Sequence, residues 1–337
     1  MTAAKKVGAQ TVAFAVPPVV SATATVVGAK EGQGPLGNTF DKVIDDPYCG
    51  EESWEKAERR LLQEAFEMTL NKANLKPRDV DYLLAGDLLN QIISANFVAR
   101  ALAIPFIGLY GACSTIYEGL AVGAMLIDGG FAANILVGSS SHYSTAEKQF
   151  RFPTEQGVQR TPTAQWTVTG AGALLLTATG TGPRVTHATI GRVVDLGSGD
   201  PYNMGAAMAP AAADTMVHHL TDTQRRVEDY DLLLTGDLGI YGKELLEELM
   251  RSYGHDLSER HNDCGILIFD RENQDVHAGG SGCGCPATVT CGFIMQKLRE
   301  RKLNRVLGVG TGALMSPLTT GQGETIPTVG HAVVLEA

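Results

Sequence analysis

The chain has 337 residues, 44% of them hydrophobic and 6% aromatic, with 39 glycines and a formal net charge of −10. That length holds one large or two medium domains with a sizeable core, and the glycine-rich, aromatic-poor composition suits the tight strand–helix turns of a close-packed α/β protein. The acidic balance excludes a broad basic surface, so no nucleic-acid partner is expected, and an anionic ligand would need a locally positive or amide-lined pocket.

The cysteines at 49, 113, 264, 283, 285 and 291 form no disulfide framework, as expected in a reducing compartment. Cys283-Gly-Cys285 has no second pair at zinc-finger spacing and no His-x-x-x-His beside it, so no metal is expected. Lys5-Lys6 and the apolar run after it resemble a signal peptide, but Pro17-Pro18 interrupts that run. The segment is assigned to the fold rather than to a leader. Nowhere do about 18 apolar residues run uninterrupted, so no transmembrane helix is expected.

In chain order, residues 11–15 and 23–27 read as short strands. Gly28 to Gly37 is a glycine-rich loop without the strand–GxGxxG–helix setting of a dinucleotide site, and no cofactor is expected. Residues 53–73 form a helix with Ser53 as its N-cap. Trp54, Ala57, Leu61, Ala65, Met68 and Leu70 line its apolar stripe, and Glu55, Lys56, Glu58 and Arg59 are assigned to the solvated face. Residues 80–85 read as a strand buried on both faces. A helix follows over 93–102, then a strand from Pro105 to Tyr110. Cys113 sits in the small-residue turn between that strand and a helix over 115–127. Free N–H groups at a helix N-terminus attract anions and favour the thiolate. A buried cysteine in a tight turn fits the same pattern, and this motif alone leaves both readings open. Residues 134–137 form another buried strand ending in a Ser-rich turn before His142, residues 146–163 an excursion, and residues 169–177 a strand entered through glycines.

The second half repeats the first. Tyr230-Asp-Leu-Leu-Leu-Thr-Gly-Asp-Leu238 matches Val80-Asp-Tyr-Leu-Leu-Ala-Gly-Asp-Leu88 without a gap. The helix over 206–220 stands where 53–73 stood. Gly282-Cys-Gly-Cys285 falls where Tyr110-Gly-Ala-Cys113 fell, before a helix over 289–299, and the strand over 305–310 echoes 133–138. Two such units, residues 1–180 and 181–337, packed as one pseudo-twofold body, would leave a crevice where equivalent strand ends meet.

Ala112-Cys113-Ser114, Ser94-Ala95 with the helix after it, and Thr169-Gly-Ala-Gly-Ala173 resemble the nucleophile, preceding segment and closing strand of the thiolase and β-ketoacyl synthase superfamily. One branch matches more closely. Lys30-Glu-Gly-x-Gly-Pro-Leu-Gly37, Leu83-Leu-Ala-Gly-Asp-Leu-Leu-Asn90, Gln149-Phe-Arg-x-Pro-Thr-Glu155, Ala209-Pro-Ala-Ala-Ala-Asp214, Gly279-Gly-Ser-Gly-Cys283 and Glu324-Thr-Ile-Pro-Thr328 resemble the stage V sporulation protein AD family. The resemblance implies an α/β, thiolase-like αβαβα fold of two pseudo-repeated halves, and a homodimer. It also implies a protein peripheral to the spore inner membrane, which binds dipicolinic acid (pyridine-2,6-dicarboxylate) for the stage V sporulation A channel subunits.

Condensing enzymes pair their cysteine with His and His or with His and Asn. Here Asp237 stands at the first of those positions, and the segment from Gly279 to Gly282 offers neither residue type. A dismantled catalytic set with Cys113 retained is the expectation. His142 is the best-placed substitute base, and an acyltransferase using Cys113 is the alternative. A docking scaffold with a vestigial pocket is a third reading. For binding, the amides near Cys113, Ser114 and Thr115 would take one carboxylate. Arg151 would take the other, with Lys148 and Arg192 behind it. His142, Asp237, Gly280 and Ser281 complete the expected ligand set. Asp87 is expected to cap its turn, and Asp237 to face the pocket, where it could hold calcium accompanying the ligand.

Overall fold

The computed structural model describes residues 5–151 and 160–337, apart from the side chains of Phe150 and Arg151. The first half runs β1 (Thr11–Ala13), β2 (Val19–Gly28), α1 (Ala29–Gly32), β3 (Lys42–Ile44), α2 (Trp54–Ala73), β4 (Tyr82–Gly86), α3 (Ile93–Leu102), β5 (Phe106–Gly108), α4 (Thr115–Asp128), β6 (Asn134–Ser141), α5 (Tyr143–Ala146), β7 (Trp166–Thr167) and β8 (Gly170–Thr177). The second runs β9 (Arg184–Ile190), α6 (Met204–Thr223), β10 (Leu232–Thr235), α7 (Gly239–Ser252), β11 (His261–Asp263), α8 (Cys264–Leu267), β12 (Gly280–Ser281), α9 (Gly284–Val289), α10 (Met295–Arg299), β13 (Arg305–Ala313), α11 (Pro317–Gly321) and β14 (Thr328–Glu336).

Each half builds five strands in the same order, β5-β4-β6-β8-β2 and β11-β10-β13-β14-β9. In both, the outer three strands are parallel and the remaining pairings antiparallel. The two sheets touch through one residue pair of β2 and β9, Val19 with Arg184. Alternation along the strands decides the layers. Leu84, Ile135, Val137, Leu174 and Leu176 face inward, with Leu234, Val306, Val333 and Leu335 opposite them. Between these faces lie α4 and the α9–α10 helix. The other strand faces pack on α2 and α3 in one half and on α6 and α7 in the other. The result is five layers, αβαβα.

Two glycines let the central layer close on the sheets. A Cβ at Gly172 would lie 2.3 Å from the Ala287 carbonyl oxygen, so β8 admits α9 at backbone distance. A Cβ at Gly312 would lie 2.1 Å from the Gly111 oxygen, so the turn carrying Cys113 rests directly on β13.

Several elements differ from the sequence expectation for local reasons. The strand expected over 23–27 starts at Val19, immediately after Pro17-Pro18. The glycine-rich loop contains the helical turn α1. β6 continues through its serines because Ser139, Ser140 and Ser141 bond to the Cys283 carbonyl, Glu58 and the Val168 carbonyl. The helix expected over 289–299 begins at Gly284 and passes through a π turn, Thr290–Ile294. Glu58 is fully buried rather than solvated, since its carboxylate accepts from Ser140 and Thr145.

A buried polar chain crosses the second half: Thr11 and Thr189 hydroxyls at 2.9 Å, Thr189 to His219 Nδ1 at 2.7 Å, and His219 Nε2 to the Tyr230 hydroxyl at 2.6 Å. Burial pushes His219 down to about 3, with the charges of His187 and Arg225 adding to it. A depressed histidine contributes stability that is full above its unfolded value and is lost as pH falls toward the folded one. We expect His219→Gln to lose less stability than the parent chain between about pH 6.5 and about pH 3, by on the order of 4 kcal/mol in urea titrations.

Candidate functional site

A cavity of about 860 Å³ opens where the strand ends of the two halves meet. Cys113, Ser281 and Asp87 line its inner part; Asn90, Lys148 and Gln149 line one side, and Met204, Leu314, Met315 and Leu318 form an apolar wall. The Asn90 amide donates to Gln149 Oε1 at 3.1 Å, tying two of these elements together.

Cys113 reaches the cavity because β5 ends in a tight turn. Ala112 has φ of 49°, left-handed for a residue with a Cβ. A 3₁₀ turn, Ala112–Ser114, then leads into α4. Local bonds hold the turn. The Ser114 amide donates to the Gly111 carbonyl at 3.0 Å, and the Thr115 amide donates to the Ala112 carbonyl. The Ser114 and Thr115 hydroxyls reach the same two oxygens, each at 2.6 Å. Two of the amides expected to receive an anion are therefore already bonded.

Asp237 lies beneath Cys113 and is fully buried. It does not line the cavity. Its Oδ2 accepts the Gly282 amide at 2.9 Å and the Ser281 hydroxyl at 3.2 Å, and Oδ1 accepts Thr311 at 3.4 Å. The Cys113 thiol is a fourth donor. Burial pushes Asp237 up to about 6 against these bonds. Burial also drives the Cys113 thiol well above its ordinary value; the charges of Asp237 and Cys283 add to this, and the Gly282 amide opposes it. The helix terminus thus does not favour a thiolate here, because desolvation and a neighbouring carboxylate outweigh it. With its oxygens taken by donors, Asp237 has no open face for calcium. Among the described residues no cluster of His, Cys, Asp or Glu is arranged to hold a metal ion. Cys283 and Cys285 donate instead to the Ala112 and Gly236 carbonyls, at 2.9 and 3.5 Å.

The other expected site residues scatter. His142 stands away from the cavity lining, its Nε2 2.8 Å from the Pro47 carbonyl and its Nδ1 accepting the Ser144 amide at 3.2 Å. His261 is bonded to Glu247 and Thr235, and His331 accepts the Gly191 amide. Among the described residues no imidazole bonds to Cys113. Gly280 is buried, its carbonyl taking Gln165 at 2.7 Å. Arg192 is held by Asp214 at 2.7 Å and lies outside the lining. The Arg151 side chain falls outside the described residues. Lys148 does line the cavity and pairs with Glu55 at 3.4 Å. Asp87 caps its turn, as expected, by accepting the Leu89 and Ala95 amides at 2.8 Å each. The sequence reading missed several buried acids, Glu58 and Asp263 among them. Glu58 stands four residues before Leu62 and seven before Ala65, on the apolar stripe itself. Asp263 follows no recognised motif, yet accepts the Leu238, Gly239 and Gly265 amides.

Layering, strand order and a cysteine at the first-half strand–helix turn define a thiolase-like protein. Solved structures agree in shape. The 3-oxoacyl-[acyl-carrier-protein] synthase III of Aquifex aeolicus VF5 covers 95% of this chain and 100% of its own at 14% identity, with a TM-score of 0.59. Human mitochondrial 3-ketoacyl-CoA thiolase covers 96% and 99% at 14% identity, with a TM-score of 0.60. At such identity the likeness concerns the fold alone. Residues 8–336 match the family described as Stage V sporulation protein AD. The Bacillus subtilis (strain 168) protein of that name is 51% identical over 332 residues, 98% of each chain. The chain belongs to the stage V sporulation protein AD family, and its role lies in sporulation.

We expect iodoacetamide to modify Cys113 slowly at neutral pH, with the rate still climbing above about pH 9. Asp237→Asn removes the nearby charge and should speed modification several-fold at about pH 8. Peptide mass mapping separates Cys113 from Cys49; a plateau near neutral pH in the parent chain would contradict the assignment.

Proposed function

We propose that this chain is a non-catalytic receptor for dipicolinic acid. In this reading it acts as a homodimer at the spore inner membrane, serving a channel built from other stage V sporulation A subunits. It would take part in dipicolinate uptake during sporulation and in release on germination. The observation that carries the reading is the partner of Cys113. The sulfur keeps its place on the cavity floor, but the group bonded to it is a carboxylate. Acyl transfer requires an accessible thiolate and donors for an oxyanion. Asp237 disfavours the thiolate, and an ionised carboxylate has no proton to offer. A receptor requires neither.

The lining suits a flat ring bearing two carboxylates. Tyr110 and Met204 supply apolar faces, while Asn90, Gln149 and Lys148 supply donors at one side. The half-exposed Lys148 pair with Glu55 is the kind of surface pair that contributes little, so its ammonium is free to exchange partners. Membrane association would rest on partner subunits, since no helix of the described residues is long and apolar enough to cross a bilayer.

The retained thiol favours one competing reading, an acyltransferase of the condensing class. Calorimetric titration with dipicolinate and with its 3,5-dicarboxylate isomer separates the readings. We expect saturable binding of the first and weaker binding of the second. Lys148→Ala should weaken dipicolinate binding by about tenfold, the loss of one charge-assisted contact. Stoichiometric acylation of Cys113 by acyl thioesters, with turnover, would favour the enzyme. Absence of saturable binding would leave the scaffold reading.

A further inference from the structure

Two carboxyl groups stand together on the first-half side of the cavity. Asp87 lines it and is 4% exposed. Its oxygens accept the amides of Leu89 and Ala95, with the Ser94 amide also bonded. Glu58, fully buried on α2, takes the Thr145 hydroxyl at 2.7 Å and the Ser140 hydroxyl at 3.3 Å.

The charges around this pair are mostly of the same sign. Asp87 acts on Glu58, and Glu55 adds to it from the same helix. Both Asp87 and Glu58 act on the Cys283 thiol at the start of α9. Tyr110, Cys113 and Lys148 complete the titratable lining of the cavity, and Lys148 is paired with Glu55. Glu147, beside Lys148 in the chain, is buried. Among the described residues no Lys, Arg or His bonds to Asp87 or Glu58. Burial pushes Asp87 up to about 6 in spite of its three amides. It pushes Glu58 well above the carboxylate range, and the charge of Asp87 pushes it further.

An anion entering the cavity meets the Asp87 carboxylate, to which no cation of the described residues is bonded. Like charges in a poorly solvated site repel by several kcal/mol, and protonation is the usual relief. Asp237 and Asp263 cannot supply that relief at the lining, because both are fully buried outside it. Asp87 can. Each of its oxygens carries an amide, so protonation weakens one of those bonds in exchange for relief of the repulsion.

We infer that anion capture in this cavity is proton-linked: a bound carboxylate draws one proton from solvent onto Asp87, and loss of that proton favours release. Glu58 behind it sets the balance, since the charge of Asp87 acts on Glu58 and the two carboxyls therefore take up and release protons together. The inference takes its ligand class from the receptor reading above. It adds a direction, with capture favoured by acid and release by alkali.

Titration calorimetry of the full chain with dipicolinate tests this, in phosphate and in Tris at about pH 7, and across about pH 6 to about pH 8. The ligand's own carboxylates are largely ionised over that range. The expected result is uptake of close to one proton per ligand bound, read from the difference in heat between the buffers, and binding weaker by roughly 30-fold at the upper pH. Asp87→Asn and Glu58→Gln should each flatten the pH dependence. The proton count on the unmodified chain stands even if a variant fails to fold. Binding with no proton uptake and equal affinity across the range overturns the linkage while leaving the receptor intact. An undiminished pH dependence in both variants overturns the assignment to this pair. No binding at either pH overturns both the linkage and the receptor reading.

Discussion

The seam between the two halves depends on keeping one carboxylate, Asp237, out of water. Burying an ionised carboxylate is strongly unfavourable unless donors replace its hydration. Here the donors come from both halves: Cys113 from the first, and Ser281, Gly282 and Thr311 from the second. Gly282 must present its amide with φ of 95°, a conformation that favours glycine. A Cβ there would also lie 2.8 Å from the Ser141 hydroxyl. That turn sets the start of α9, and the carboxylate thereby fixes the mutual position of the Cys113 turn and its repeat counterpart.

The same carboxylate sets the electrostatics around Cys113. A cysteine nucleophile works when a neighbour takes its proton or stabilises its charge. Asp237 opposes the thiolate, and the imidazoles of His142, His219, His261 and His331 are held elsewhere by carbonyls, amides, hydroxyls or acids. The fold places a cysteine at the strand–helix turn, and in this chain a carboxylate is bonded to it. Shape alone, shared at 14% identity with a synthase and a thiolase, does not report that neighbour.

Much of the fold was legible in the sequence because it rests on short-range signals. The Leu-Leu-x-Gly-Asp-Leu repeat announced two equivalent strands, and β4 and β10 occupy the same place in their sheets. Ser53 announced the start of α2 and does accept the Lys56 amide at 3.3 Å. The cavity was legible at Cys113, Ser281 and Lys148, while Asp87, expected only to cap its turn, lines it as well. Glu58 was misplaced because residue type was weighed above helical phase. His142 was drawn into the site because proximity to a strand end in sequence was read as proximity to the cavity. Its ring turns instead to the Pro47 carbonyl, a contact between residues 95 positions apart that no local pattern encodes. The repeat also equated Asp87 with Asp237. Their backbones are equivalent, but Asp87 caps its own turn while Asp237 reaches across to Gly282.

The contact between α4 and β13 carries a mechanical consequence. Tyr117 lies over Gly308 and Gly310, where a Cβ would come within 2.1 and 2.8 Å of its ring, and its hydroxyl meets Thr290 at 2.8 Å. The central helix is thereby keyed into the opposite sheet like a tenon in a mortise. A joint of that kind resists rocking of one half against the other, so the width of the crevice is a property of the scaffold. Occupants are then sorted by the chemistry of the walls.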